Sequence, residues 1–323
     1  MTTAVSTGHR TRERVRGLTR GRSMQEYGVY VALVVVVVGN LFFTHNLVTI
    51  DGLRTQLIQV VPVAIVALGM ALVIGTEGID LSVGSVMALA AALLPLYLGY
   101  GVIGGIAVAA LGGLAVGLIN GWLVSVVGVQ PIVATLALLV GGRGLATVIG
   151  NTQKSIYNPD LLAIGTGSIA TVPIILIITV VLALIVAFLV RRTTFGRQLV
   201  AVGGNRTAAE LAGLPVRRVL LGVYAISGVL AAVAGIIATA RLTASTPNTL
   251  GLNFELLAIT AVVVGGTPLS GGRVRILGTL AGAVLMQLIG STLISHNLQP
   301  STTQMVQAGI IILAVYLQRK GRT

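Results

Sequence analysis

Residues 55–85 read TQLIQVVPVAIVALGMALVIGTEGIDLSVGS. Positions 55–74 carry no charge, and about 20 apolar residues are what a helix needs to cross a hydrocarbon core of roughly 30 Å. The run then breaks at GTEGIDLSVGS, where Gly75, Gly78 and Gly84 surround Glu77 and Asp80, before a second apolar run, VMALAAALL. Glu77 and Asp80 are the only charged residues between Arg54 and Arg143. Acids set between two such blocks point to a broken element inside a membrane protein.

Composition supports this reading along the whole chain. Of 323 residues, 55% are hydrophobic and only 9% charged, against about 25% charged in a soluble domain. Mean hydropathy is +0.99. Charge-poor blocks fall at 27–46, 55–74, 81–99, 102–122, 129–150, 171–190, 218–240, 253–268, 276–295 and 303–318. The expected fold is all-α and polytopic, with about ten transmembrane helices. The blocks at 253–268 and 303–318 are short and are expected to be tilted, broken or re-entrant. A basic tail (1–26) precedes the permeating domain (27–318), and a basic C-terminus (319–323) follows it. GHRTRERVRGLTRGRSM before Tyr27–Phe43 resembles a signal peptide, but no small-x-small cleavage site follows, so an uncleaved signal-anchor is expected.

Basic residues set the expected orientation. With the N-terminus inside, six arginines lie in the tail: Arg10, Arg12, Arg14, Arg16, Arg20 and Arg22. Six more occupy the inside loop 191–218: Arg191, Arg192, Arg197, Arg206, Arg217 and Arg218. Arg273, Arg275, Arg319, Lys320 and Arg322 complete the inner set, leaving only Arg54, Arg143, Lys154 and Arg241 of the 21 basic residues elsewhere. Both termini are therefore expected in the cytoplasm, and the net charge of +13 needs no nucleic acid. Absent cysteines exclude disulfides and thiolate metal sites, and His9, His45 and His296 are too dispersed for metal-ligand spacing.

Small residues recur every four positions in the fourth block (Gly101, Gly105, Ala109, Gly113, Gly117, Gly121), with echoes at Gly228, Ala232, Gly278 and Gly282. Such stripes let helices approach closely, here expected within one subunit, with a seam between subunits as the alternative. An internal repeat is also expected: Asp80–Gly84 (DLSVG) aligns with Pro268–Gly272 (PLSGG), each between apolar spans.

Asp80 and Ser82 precede a helical run, where a side-chain oxygen caps free amides and a carboxylate suits the dipole. A proton relay through Glu77 and Asp80 stays open beside this capping role, as does a broken element lining a path. In the inside loop, Asn205 is expected to cap a short helix that runs through Ala212 and ends at Gly213, with Pro215 blocking continuation. No Gly-Lys-Ser/Thr phosphate loop occurs anywhere, so ATP, if used, belongs to another chain. Aromatics are 4% of residues, too few for a stacked sugar site. Asn120, Thr135, Gln287 and Asn297 are the candidate path residues, and Arg143 and Arg241 are expected to snorkel to the interface, with contact to a hydrophilic solute as the alternative.

Four stretches carry a resemblance: G-x-x-GIDLSVGS (75–85), QPIVATLALLVGGRGLA (130–146), TTFGRQLVAVGGNRTAAELAGL (193–214) and ELLAITAVVVGGTPLSGGR (255–273). They resemble the permease subunits of bacterial ABC importers for monosaccharides, the ribose, xylose, arabinose and galactofuranose group of the branched-chain-type permease superfamily. The resemblance implies a non-enzymatic subunit of an ATP-driven sugar importer in the bacterial cytoplasmic membrane. It implies three partners: a second permease copy or paralogue, an extracytoplasmic sugar-binding protein, and an ATPase carrying ATP and Mg. Gly196, Arg197, Gly203, Gly204, Asn205, Ala208, Ala209, Glu210 and Gly213 would meet the ATPase through a coupling helix. The broken turns would be Gly78, Asp80, Ser82 and Gly84, and Gly265, Gly266, Ser270, Gly271 and Gly272. Two positions depart from the common pattern, Glu77 and Arg273, where glycine is frequent. The alternatives are a proton-coupled secondary transporter using Glu77 or Asp80, and a passive channel or scaffold.

Overall fold

The computed structural model describes residues 28–44 and 49–320, without the side chains of Pro300, Ile311 and 313–320. The basic tail, His9, His45 and Arg322 lie outside the described residues. Thirteen α-helices make up the described architecture. They are α1 (Gly28–Phe43), α2 (Ile50–Gly75), α3 (Val83–Tyr97), α4 (Val102–Trp122), α5 (Pro131–Ile149), α6 (Pro159–Thr166) and α7 (Ile174–Arg192). They continue with α8 (Thr194–Gly204), α9 (Arg206–Leu211), α10 (Val216–Leu242), α11 (Phe254–Val264), α12 (Ile276–Ser295) and α13 (Pro300–Lys320).

Each expected apolar block coincides with a helix, but the count of ten crossings is not established. Among the described residues, seven helices are long and apolar enough to span: α2, α3 with its 3₁₀ extension to Tyr100, α4 with a π turn to Val127, α5, α7, α10 and α12. α1 and α11 are shorter apolar helices. The 11 residues of α11 rise only about 16 Å, roughly half a hydrocarbon core.

Two long helices form the centre. α2 is buried on every side from Val60 to Gly75, as expected for a helix apolar all round. α10 runs antiparallel to it: Arg241 Nη1 donates to the Ile58 carbonyl at 3.4 Å near one end, while Gly69 packs on Ser227 further along. α2 packs against α11 and α12, and α10 packs against α3 and α4. α3 in turn contacts α4 and α5, and α11 contacts α12 and α13. The sets α2–α5 and α10–α13 thus exchange equivalent contacts while starting from antiparallel helices, which is an inverted repeat. This corrects the alignment of 80–84 with 268–272. The break after α2 corresponds to the break after α10, because each follows a central helix and leads into a short one.

The small-residue stripes sit where the helices nearly touch. Gly113, Gly117 and Gly121 of α4 face the backbone of Gly228, Tyr224 and Leu221 on α10, and Gly278 and Gly282 of α12 face Gly265 and Ala261. Two features of the 151–173 connection had no expectation attached. α6, capped by Asn158 accepting from the Leu161 amide at 3.1 Å, packs its Gly165 onto Ala240. Lys154–Ser155 pairs antiparallel with Ala244–Ser245, and Ser168–Ile169 with Val172–Pro173.

Candidate functional site

The segment between α2 and α3 turns back into the protein. Helix α2 ends at Gly75, and Glu77 adopts φ 65°, the left-handed region that costs an ordinary side chain and suits glycine. Glu77 stays exposed while Asp80 is 1% exposed, so the two carboxylates do not form one site.

Asp80 is held by three donors. Its Oδ1 accepts from the Ser82 amide at 3.0 Å and the Ser82 hydroxyl at 2.6 Å, and its Oδ2 accepts from Ser227 on α10 at 2.8 Å. The expected capping role changes accordingly. Ser82 is the N-cap residue but makes no side-chain cap bond, and Asp80 binds the amide just ahead of the helix. Its reach to Ser227, which abuts Gly69, shows that the break folds back along α2 by about 9 Å, six residues of helical rise. Asn120 Nδ2 donates to Ser82 Oγ at 2.8 Å, and Thr135 Oγ1 donates to the Ile79 carbonyl at 3.2 Å. Irregular backbone at membrane depth requires such internal partners.

The candidate path residues separate into different places. Asn120 and Thr135 are fully buried supports of this break. Gln287 instead joins α12 to α2, donating to Gln59 Oε1 at 2.7 Å beside Gln56 and Ser291. Asn297 follows α12 at φ 59°. His296 Nε2 lies 3.1 Å from Thr44 Oγ1.

Three loops converge below the break. The Gly75 carbonyl accepts from the Gly272 amide at 3.0 Å, and a Cβ on Gly203 would overlap that same oxygen. Gly271 (φ 70°) lies against the Gly203 carbonyl and the Glu77 amide. Gly265 ends α11 against Gly278, Gly266 turns at φ 88°, and Thr267 Oγ1 accepts from the Arg275 amide at 3.0 Å. Gly78 leaves room for the Tyr224 ring, whose hydroxyl would lie 2.7 Å from a Cβ there. Sequence spacing named these turns; that they interlock with residues 199–204 is a finding of the structure.

The 191–218 stretch holds two helices where one was expected. Thr193 Oγ1 caps α8 by accepting from Gly196 at 3.3 Å. The inward face of α8 is Gly196, Leu199, Val202 and Gly203, with Arg197 and Gly204 outward. α9 follows the expected design: Asn205 Oδ1 accepts from the Ala208 amide at 2.9 Å, and Gly213 closes the helix at φ 76°. It projects almost entirely outward. Only Ala209 is buried, Arg206 and Glu210 pair at 3.3 Å on the surface, and Leu211 is 86% exposed. All six arginines of the stretch are exposed at this end.

The expectation for Arg143 is overturned. Its guanidinium does not snorkel; Nη1 donates to the carbonyls of Leu250 at 2.6 Å and Pro247 at 3.1 Å, and Nη2 to that of Gly84 at 3.1 Å. The break after α10 leaves the Pro247 and Leu250 carbonyls outside any helix, and the arginine fork supplies them while also reaching Gly84 in the first turn of α3. Glu255, in the first turn of α11, was missed as a functional candidate. The signal available was a second lone charge inside an apolar block.

Comparison with known proteins follows the same lines. Residues 52–315 match the family described as branched-chain amino acid transport system / permease component. The chain is 40% identical to the galactofuranose transporter permease protein of Escherichia coli, covering 80% of this chain and 76% of that one. It is 38% identical to the fructose import permease protein of Bifidobacterium longum (89% and 86% covered) and 40% identical to the ribose import permease protein of Bacillus subtilis (91% of each). These relatives are membrane transport components and not enzymes. The apolar bundle, the interlocked turns and the matched region agree: this chain belongs to the family of branched-chain amino acid transport system permease components.

Proposed function

We propose that this chain is the permease subunit of an ATP-driven monosaccharide importer in a bacterial cytoplasmic membrane. It forms half of the translocation path, and a second copy or a paralogue forms the other half. A separate ATPase, carrying ATP and Mg, docks on α8 and α9, and an extracytoplasmic binding protein delivers the sugar. Named relatives that transport ribose, fructose and galactofuranose support the substrate class. Both termini are cytoplasmic in this reading, which the six exposed arginines around α8 and α9 support.

One observation carries the proposal: α9 presents exposed Leu211 to the aqueous side, while α8 beside it is wedged against Gly75 at the base of the broken segment. A partner gripping α9 therefore pulls directly on the element held by Asp80. A ligand or motor shifts a conformational equilibrium only through differential contact with its states, and this lever supplies that contact. Gly196, Arg197, Gly203, Gly204, Asn205, Ala208, Ala209, Glu210 and Gly213 all belong to the lever or its seat. The test is copurification of the tagged chain in mild detergent. An ATPase subunit is expected with the wild-type chain and lost with Leu211→Glu; ATPase retention by a folded Leu211→Glu variant would contradict the docking surface.

A further inference from the structure

The linker between α10 and α11 lies at membrane depth. Ser245 Oγ donates to the Ala91 carbonyl at 2.6 Å, and Gly251 meets Gly84 and Met87. Between these points the linker descends along α3 by about 10 Å, seven residues of helical rise. Yet Asn248, Thr249 and Asn253 on this linker are exposed in the chain. Irregular polar backbone at that depth does not face lipid; its open side faces protein or a wet cavity.

Arg143 and Glu255 flank this linker from α5 and α11. With Asp80 held by its own serine donors, they are the charged groups left at the junction of the two breaks, and they do not close on each other. Among the described residues the salt bridge within 4 Å is Arg206–Glu210, and Glu255 Oε2 is buried without a hydrogen-bond partner. Arg143 engages three carbonyls, leaving two of the five guanidinium N–H donors unused. Gly84 gives the carboxylate its room, since a Cβ there would lie 2.6 Å from Glu255 Oε2. A pair serving packing alone would satisfy itself by closing. Here a buried, unpaired acceptor and spare donors sit at one junction, the arrangement that takes up a hydroxyl group.

We propose that Arg143 and Glu255 form a hydroxyl-binding station in the translocation path, where the passing monosaccharide bridges carboxylate and guanidinium. The proposal rests on the sugar-import reading above. Glu255 accepts from a sugar hydroxyl and Arg143 donates to its neighbour, so a vicinal diol is the recognised element. With aromatics scarce in this chain, these two side chains replace ring stacking as the contact.

The copurified importer, reconstituted in liposomes with its binding protein, tests this with D-ribose, D-fructose and D-galactose as solutes. The measured quantity is sugar imported per ATP hydrolysed for wild type, Glu255→Gln and Glu255→Asp. The expected result is a fall of about tenfold for Glu255→Gln, the worth of one charge-assisted hydrogen bond, with part recovered in Glu255→Asp. Uptake and hydrolysis falling together, or an unchanged ratio, would overturn the station and leave the importer reading standing. A wild-type complex that hydrolyses ATP but imports none of the three sugars would instead remove the sugar reading, and the station with it.

Discussion

Gly203 of α8 presses on the carbonyl oxygen of Gly75, the residue that ends central helix α2. The same oxygen accepts the Gly272 amide at 3.0 Å. Three stretches distant in sequence therefore share one backbone atom, and a displacement of α8 is passed to the base of both broken elements. Packed contacts of this kind transmit strain because they have no slack.

Adding a methyl group at Gly203 is expected to break this contact. Gly203→Ala should lower thermal stability in detergent by about 1–3 kcal/mol, the usual cost of overpacking. Gly204→Ala provides the comparison, since its Cβ meets nothing within 4 Å and alanine favours the helix. Equal melting temperatures for the two variants would count against the interlock.

Backbone conformation at position 77 gives a second expectation. With φ 65°, Glu77→Gly should be neutral or stabilising by about 0.5–1 kcal/mol, whereas Glu77→Val should destabilise by about 1–2 kcal/mol. Thermal unfolding of both variants reads the difference. A valine variant as stable as the glycine one would show that the turn is not held in this conformation.

The Asp80 network should behave as an anchor. Ser227→Ala removes one of three donors and should cost about 1–3 kcal/mol. Asp80→Ala strands the Ser82 amide and hydroxyl together with Ser227 and should cost more. Comparing unfolding of Ser227→Ala, Asp80→Ala and the double variant separates the terms. If the double variant shows the sum of the single losses, the Asp80–Ser227 bond is not the contact that matters.

Much of this architecture was legible in the sequence, for a physical reason. A hydrocarbon core demands charge-poor stretches, so apolar blocks mark every helix from α1 to α13 except α6, α8 and α9. The four-residue stripe ending at Gly121 marked a close helix approach before any fold was visible, because only small residues allow backbones to touch, but its partner α10 came from the structure. α9 was legible from Asn205 and Gly213, whose side chain and turn angle are local. α8 was not: its paired glycines, Gly203 and Gly204, look like a loop, and the first of them is there for the approach to Gly75. Neither was the role of Arg143, since a lone arginine near a block's end looks the same whether it reaches for water or for stranded carbonyls. The repeat was mismatched because the DLSVG and PLSGG segments resemble each other in composition, whereas the real correspondence lies in helix direction and packing. Glu255 escaped notice because Gly84, against which its carboxylate packs, is close only in space.

The most direct test of the central claim, that this chain supplies a path and a lever while its motor is a separate molecule, is uptake by the purified permease in sealed liposomes. Sugar accumulation is measured with and without the ATPase and binding protein, with ATP inside or with a pH gradient imposed. The account predicts uphill import only when the permease, both partners and ATP are all present, and its loss with Leu211→Glu. Accumulation by the permease alone, driven by the pH gradient and abolished by Asp80→Asn, would contradict it.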